Sequence, residues 1–282
     1  MSRDRVLARH VETDGPPALA DLSELGLRRY GGRTALIDGD RSLTYLELAD
    51  AVAARGRELG ERRRLVAVEG SRTIEFVVTF LAALDAGHPV IVVDGELGIA
   101  SIHGFEPDVV VRTAAGAFEA DVAGRGERAH DLHPELALLL STSGSTGSSK
   151  LVRLSLGAVR SNAAAIAASL RLGSDDVGIT SLPLQYCYGL SIVTSHLAVG
   201  ASVVLTEASV VDACFSDAMC RHGVTGLAGV PHTFELIERD GDRLLGSARL
   251  RYVTQAGGRL GADGVRRLAE VGRANGFELF VM

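Results

Sequence analysis

Apolar positions along this chain switch repeatedly between a helical and a strand period. Thr44-Tyr45-Leu46-Glu47 sets a capping hydroxyl three residues before a glutamate, which predicts a helix from there to about Gly60. Leu48, Val52 and Leu59 fall on one face of it. Leu65 to Glu69 reads as a strand, Thr73 to Ala86 as a helix stopped by Gly87, and Val90 to Val93 as a second strand. From Ala114 to Glu135 large apolar residues thin out and Ala, Gly and charge take over. This stretch predicts a connector with room for one short strand or helix. The alternation then resumes. Strands are expected at Leu136–Leu140, Leu151–Leu154, Val177–Thr180, Ser202–Thr206, Thr225–Ala228, Leu250–Thr254 and Phe277–Val281. Helices are expected at Leu156–Leu170, Gly189–Val199, Val211–Cys220, Pro231–Arg239 and Ala262–Ala274.

Strands alternating with helices predict an α/β fold of two mostly parallel sheets with helices on their faces. The organisation that follows is an N-terminal arm over residues 1–20, a first α/β subdomain with its connector over 21–135, and a second over 136–282. There are no repeats and no low-complexity tract. With 282 residues the chain can bury a large core in one or two domains. Its formal net charge of −6 argues against nucleic acid or an anionic membrane surface as main partner. No apolar run approaches membrane-spanning length and the first residues lack a signal-peptide core, so a cytoplasmic, reduced protein is expected. Cys187, Cys214 and Cys220 make neither a disulfide framework nor a zinc knuckle, and buried inert thiols are expected. His88, His103, His130, His133, His196 and His222 show no metal-ligand spacing and are expected in solvent or core; no protein metal site is predicted.

The chemistry concentrates in one loop. Ser141-Thr142-Ser143-Gly144-Ser145-Thr146-Gly147-Ser148-Ser149-Lys150 lies between the apolar runs Leu136–Leu140 and Leu151–Leu154, and Lys150 is the only lysine of the chain. Glycines let the backbone approach a ligand, N–H groups and hydroxyls donate to phosphate oxygens, and an ammonium supplies a point charge. A Ser/Gly-rich stretch also suits a flexible linker, but linkers are rarely bracketed by two strand-like runs, so the context favours phosphate binding. It is not a Walker loop, which needs Gly before the lysine and Ser or Thr after it; Ser149 and Leu151 stand there. No Gly-x-Gly-x-x-Gly unit follows a strand.

The segment from Thr142 to Lys150 resembles the signature loop of the adenylate-forming superfamily, which includes acyl-CoA synthetases, peptide-synthetase adenylation domains and luciferases. Family loops usually carry Pro before the lysine and Gly after it, where this chain has Ser149 and Leu151. Further segments occur in the family's order. They are Leu43–Leu48, Leu84–Asp94, Leu182–Leu190 (with Tyr186 where many relatives have histidine), Gly229-Val230-Pro231-His232, and Gln255–Leu260. The resemblance runs from about residue 20 to the end. It implies the layered αβαβα body of the family's large N-terminal domain, without the C-terminal domain.

What the resemblance implies chemically is ligation of a carboxylic acid with ATP and Mg2+ to give an acyl-adenylate and pyrophosphate. The acyl group would then pass to a thiol, coenzyme A or a carrier-protein phosphopantetheine. Lys150 and Thr146 would act in catalysis, with Thr142, Ser143, Gly144, Ser145 and Gly147 completing the phosphate loop. Gly257, Gly258 and Arg259 would face adenine, although those residues also suit an ordinary strand-to-helix turn. Tyr186, Tyr188, Gly189 and His232 would line the acyl pocket, although aromatic and histidine side chains there also suit core filling. The chain stops at Met282, at the end of an apolar strand, where a ligand-binding loop is expected. The resemblance would continue with a Tyr-Gly-x-Thr-Glu segment, a ribose-binding Asp and a C-terminal lysine. A portion of a longer enzyme, inactive alone, is therefore expected. A nucleotide- or acyl-adenylate-binding module without adenylation activity is the alternative.

Overall fold

The computed structural model describes residues 19–95, 98, 102–113, 119–122, 130–141, 150–240, 243–247 and 249–282. Six strands form one sheet: β3 (Val66–Glu69), β4 (Val90–Val93), β5 (Val109–Arg112), β6 (Glu119–Val122), β7 (Leu136–Ser141) and β8 (Leu151–Ser155), in the order β6-β5-β3-β4-β7-β8. Seven form the other: β1 (Thr34–Asp38), β2 (Arg41–Thr44), β9 (Val177–Ile179), β10 (Ser202–Leu205), β11 (Gly226–Gly229), β12 (Tyr252–Gln255) and β13 (Glu278–Val281), in the order β13-β12-β11-β9-β10-β1-β2. Pairing is parallel except at β1–β2, β5–β6 and β7–β8. Each sheet draws strands from both sides of residue 135.

Among the described residues the α-helices include α1 (Glu24–Arg28), α2 (Tyr45–Leu59), α3 (Ile74–Asp85), α4 (Leu156–Ser169), α5 (Cys187–Leu197), α6 (Ala213–His222), α7 (Pro231–Arg239), α8 (Arg243–Ser247) and α9 (Ala262–Asn275). The capping box expected at Thr44 is present: Thr44 Oγ1 accepts from Glu47 N, and the Glu47 carboxylate accepts from Thr44 N. Leu48, Val52 and Leu59 are buried as the periodicity requires. The helix expected from Val211 begins at Ala213. Its buried side chains are Phe215 and Met219, one turn apart, so Cys214 and Cys220 fall on the flanks of the apolar stripe. Cys187 sits at the open first turn of α5. All three cysteines are thus exposed, which corrects the expectation of buried thiols, and none forms a disulfide.

Strand alternation sorts the cores. On β3 and β4, Val66, Val68, Val90 and Val92 face a core shared with α2, α3 and α5, while Ala67, Ile91 and Val93 face the opposite side of the six-stranded sheet. On β10, Val203 and Leu205 face that same shared core and Val204 faces outward. The shared core therefore lies between the two sheets. Helix α3 runs through it, packed against β1 of one sheet and β3 and β4 of the other, and every residue from Phe76 to Leu84 is buried. A helix enclosed in this way must be apolar nearly all round, and the one hydroxyl in the stretch, Thr79, accepts from Arg55 at 2.9 Å. On the outer face of the seven-stranded sheet, Phe215, Phe234, Ile237, Leu245 and Leu268 from α6–α9 cover Ile179, Leu227 and Val253. Arg72, after β3, donates to the carboxylate of Glu207, after β10, at 2.6 and 2.9 Å and so ties the loops of the two sheets together.

A buried polar pair lies within the apolar interior. His196 of α5 donates from Nδ1 to Ile192 O at 2.7 Å, which fixes Nε2 as the acceptor for the Tyr252 hydroxyl at 2.8 Å. Two glycines make the space. A Cβ at Gly178 would lie 2.7 Å from the His196 ring, and one at Gly226 would lie 2.0 Å from the Tyr252 ring. These glycines are register partners on adjacent strands, so together they form a notch in the sheet. Arg251 stacks over the Tyr252 ring at 4.9 Å and forms a two-pronged contact with Asp176 at 3.0 and 2.9 Å. Burial pushes the Asp176 carboxyl up, but Arg251, Gly173 N–H and Thr225 outweigh it and hold the group below the usual carboxylate range.

Phe76 and Phe80 stack on α3 with ring centroids 5.9 Å apart, both fully buried. Phe80→Ala should cost about 3–5 kcal/mol in urea unfolding, through lost transfer energy and the cavity left behind. Thr44→Ala, which removes only the cap, should cost about 1 kcal/mol. Near-equal losses for the two would contradict a core centred on α3.

Burial lowers the pKa of His196 from 6.5 to about 4, against the opposing effect of its bond to Ile192. Between those values the unfolded chain binds more protons than the folded one. Stability should therefore rise with pH across this window and be lost as pH falls through it, by roughly 2 kcal/mol between pH 7 and pH 5. Burial also depresses His88, so His196→Gln is the comparison that isolates this contribution. Its unfolding free energy should depend less on pH, and a variant with the wild-type slope would remove His196 as the source.

Candidate functional site

In a mostly parallel sheet, ligand-binding loops gather beyond the carboxyl ends of the strands. Here β11 ends at Gly229 and turns through Val230 into α7, and the neighbouring β12 ends at Gln255 and turns through Ala256-Gly257-Gly258-Arg259 towards α9. The two turns lie against each other. Gly257 has φ +76°, and a Cβ there would be strained and 3.0 Å from Val230 Cγ1; a Cβ at Gly258 would lie 3.2 Å from Pro231 Cγ. Gln255, only 1% exposed, donates from Nε2 to Gly258 O at 2.8 Å and so pins the turn from below. Gly257, Gly258 and Arg259 are exposed above it.

Beside this turn lies a cavity of about 310 Å³, bounded by α4, α5, β11 and β12. Ile166, Tyr188, Ser191, Ile192, Tyr252 and Thr254 form much of its wall, and Gly257 lies on its rim. The Tyr188 hydroxyl and Thr254 Oγ1 are 2.7 Å apart, and burial pushes the phenol up to about 12, with the Thr254 bond opposing. Tyr188 is therefore a neutral hydroxyl. A second cavity, about 340 Å³, lies towards β7 and β8 and shares Asn162, Cys187 and Ser191 with the first.

Of the residues singled out from the sequence, Tyr188 and Gly257 meet at this cavity. Gly189 is buried beneath it; a Cβ there would be 2.1 Å from Pro183 O, so a side-chain-free residue lets α5 start close to the preceding turn. Tyr186, the residue before α5, is 44% exposed. His232 is exposed on the first turn of α7, 3.4 Å from Glu235, and neither it nor Tyr186 is part of the cavity wall. Lys150 is exposed at the head of β8, where the chain leaves the loop bracketed by β7 and β8. Thr142, Ser143, Gly144, Ser145, Thr146 and Gly147 lie outside the described residues. Among the described residues no cluster of His, Cys, Asp and Glu would hold a metal ion, and no helix is long and apolar enough to cross a membrane.

Sequence reasoning missed Ser191, Ile192, Ser195, Tyr252 and Thr254 as wall residues, and treated His196 only as a core or solvated histidine. A signal was present. Ser191, Thr194, Ser195 and His196 follow one another on a helix that is buried along its length. Polar groups on such a helix must meet partners or a cavity.

Comparison with known proteins agrees with this architecture. The family model of AMP-binding enzymes matches residues 103–280. The dapdiamide synthesis protein DdaD of Enterobacter agglomerans is 31% identical over 158 residues, 51% of this chain and 27% of that protein. The feruloyl-CoA synthase of an Amycolatopsis species is 29% identical over 231 residues, 74% of this chain and 46% of that protein. The chain thus spans less than half the length of these curated relatives. The N-terminal subdomain of Klebsiella oxytoca NpsA, solved in complex with 3-hydroxybenzoyl-AMSN, superposes with a TM-score of 0.75 at 19% identity, covering 94% of this chain and 72% of that one. At that identity the likeness speaks for the fold. With the family model covering well over half of the residues, the chain belongs to the AMP-binding enzyme family.

Proposed function

We propose that the protein activates a carboxylic acid with ATP, forming an acyl-adenylate and releasing pyrophosphate, and passes the acyl group to a thiol of coenzyme A or a carrier protein. The observation that carries this reading is the cavity of about 310 Å³ opening beside the Gly257-Gly258 turn, at the carboxyl ends of β11 and β12. In it the acid's tail fills the cavity and its carboxyl group lies at the rim. The exposed glycine turn, held by Gln255, offers a flat backbone surface for adenine. The loop from Thr142 to Lys150 clamps the polyphosphate with hydroxyls, N–H groups and one ammonium. The task of these residues is positioning and electrostatic stabilisation rather than covalent chemistry. The apolar wall keeps water from the activated acyl group. Mg2+ is bound in nucleotide sites mainly through phosphate oxygens and one or two carboxylates, which is compatible with a described surface that has no metal cluster of its own.

The test is pyrophosphate release by the complete natural protein with ATP, Mg2+ and a panel of carboxylic acids. Turnover is expected with at least one acid. Lys150→Ala and Thr146→Ala should each lower kcat/KM about ten-fold or more, the value of one charge-assisted contact in the transition state. Unchanged kinetics in both variants would remove the loop from the mechanism. Nucleotide binding without pyrophosphate release from any acid would identify a binding module instead.

A further inference from the structure

We infer that the acid taken by this site is uncharged beyond its carboxyl group: a monocarboxylic acid with a neutral, mainly apolar tail. The inference rests on the acid-activation reading above and deepens it.

The cavity wall carries no Asp, Glu, Lys or Arg among the described residues. Its one titratable base, His196, is fully enclosed. Nδ1 donates to Ile192 O and Nε2 accepts from Tyr252, so neither nitrogen is available to a ligand. Protonating the ring would only reverse the Tyr252 bond, with Nε2 then donating to the phenolic oxygen, and would still present no nitrogen to a ligand. The Arg251–Asp176 ion pair, with Arg251 stacked over the Tyr252 ring, is not part of the wall and is held by further bonds to Leu170 O and Thr225. The remaining polar side chains of the wall are neutral. Ser191 donates to Tyr188 O at 2.8 Å and Ser195 donates to Ile192 O at 3.3 Å, while the Tyr188–Thr254 pair uses one of its two hydroxyl protons internally, so the other and the Asn162 amide are uncharged donors.

A carboxylate on the tail would meet only uncharged donors among the described wall side chains. An ammonium would meet no carboxylate side chain among them. Burying a charge without a partner is far costlier than burying a methyl group, and that cost falls directly on acid binding. An uncharged tail pays none of it and gains from contact with Ile166, Ile192 and Tyr252. At about 310 Å³ the cavity is at the small end of ligand pockets, roughly 300–1,000 Å³.

Matched acids test this with the complete natural protein: hexanoate against adipate and ε-aminocaproate, and benzoate against terephthalate, with kcat/KM read from pyrophosphate release. Calorimetric titration of the same acids in the presence of a non-hydrolysable ATP analogue gives binding apart from turnover. The neutral member of the better-used set should exceed its charged partners by at least about 30-fold in both measurements, as expected when an unpaired charge is buried. A charged-tail acid closer than that to its neutral partner overturns the inference while leaving acid activation standing. Absence of pyrophosphate with every acid overturns the activation reading, and the inference with it.

Discussion

Two mostly parallel sheets, each needing both faces covered, share one layer of helices in this protein. Parallel strands join only through crossovers, and the crossover helices must then cover the sheet on either side. Here α3 touches both sheets, and it can do so because the stretch from Phe76 to Leu84 offers solvent nothing. The cavity owes its position to the same constraint. Helices α4 and α5 pack on each other between the sheets, and where small residues on α5 face β11 and β12 the layer does not close completely.

That incomplete closure lies next to the strand ends where two turns meet. The Gly257 turn can nest against Val230 only without a side chain, and Gln255 holds it from below. The cavity and a bare backbone surface thus come from adjacent strands, β11 and β12, which fix their relative position. Precision of this kind is easier to obtain from strand ends than from long loops, because the sheet fixes the origin of each turn.

The parts of the fold legible in the sequence are those specified locally. The capping box at Thr44 and the apolar runs of β3, β4 and β7 carry their own signals within a few residues. The pairing of β1 with β10 does not: Leu36 finds Val203 across a long stretch of chain. For the same reason composition, which suggests a division at residue 135, carries no signal that each sheet takes strands from both sides of it. At the site, Tyr188 and the Gly257 turn were legible because glycine, proline and aromatic residues punctuate those segments. Ser191, Tyr252 and Thr254 were not, since their role exists only once α5 has been laid across β11 and β12. The cysteines show the opposite error: residue type favoured burial, and the position of Phe215 and Met219 on α6 decided otherwise.

The paired glycines at 178 and 226 make the depth of the pocket a property shared between strands. Bulk missing from β9 and β11 is supplied by His196 of α5 and Tyr252 of β12, and both of those rings line the cavity. A larger residue at 226 can be accommodated only if 252 becomes smaller, so these positions are bound to change together rather than singly, with strongly non-additive effects. Moving volume back and forth across that notch would lengthen or shorten the pocket while leaving every backbone hydrogen bond of the sheet in place. The fold thus holds a route by which one scaffold changes the size of its cavity in coordinated steps, without rebuilding the turns beside it.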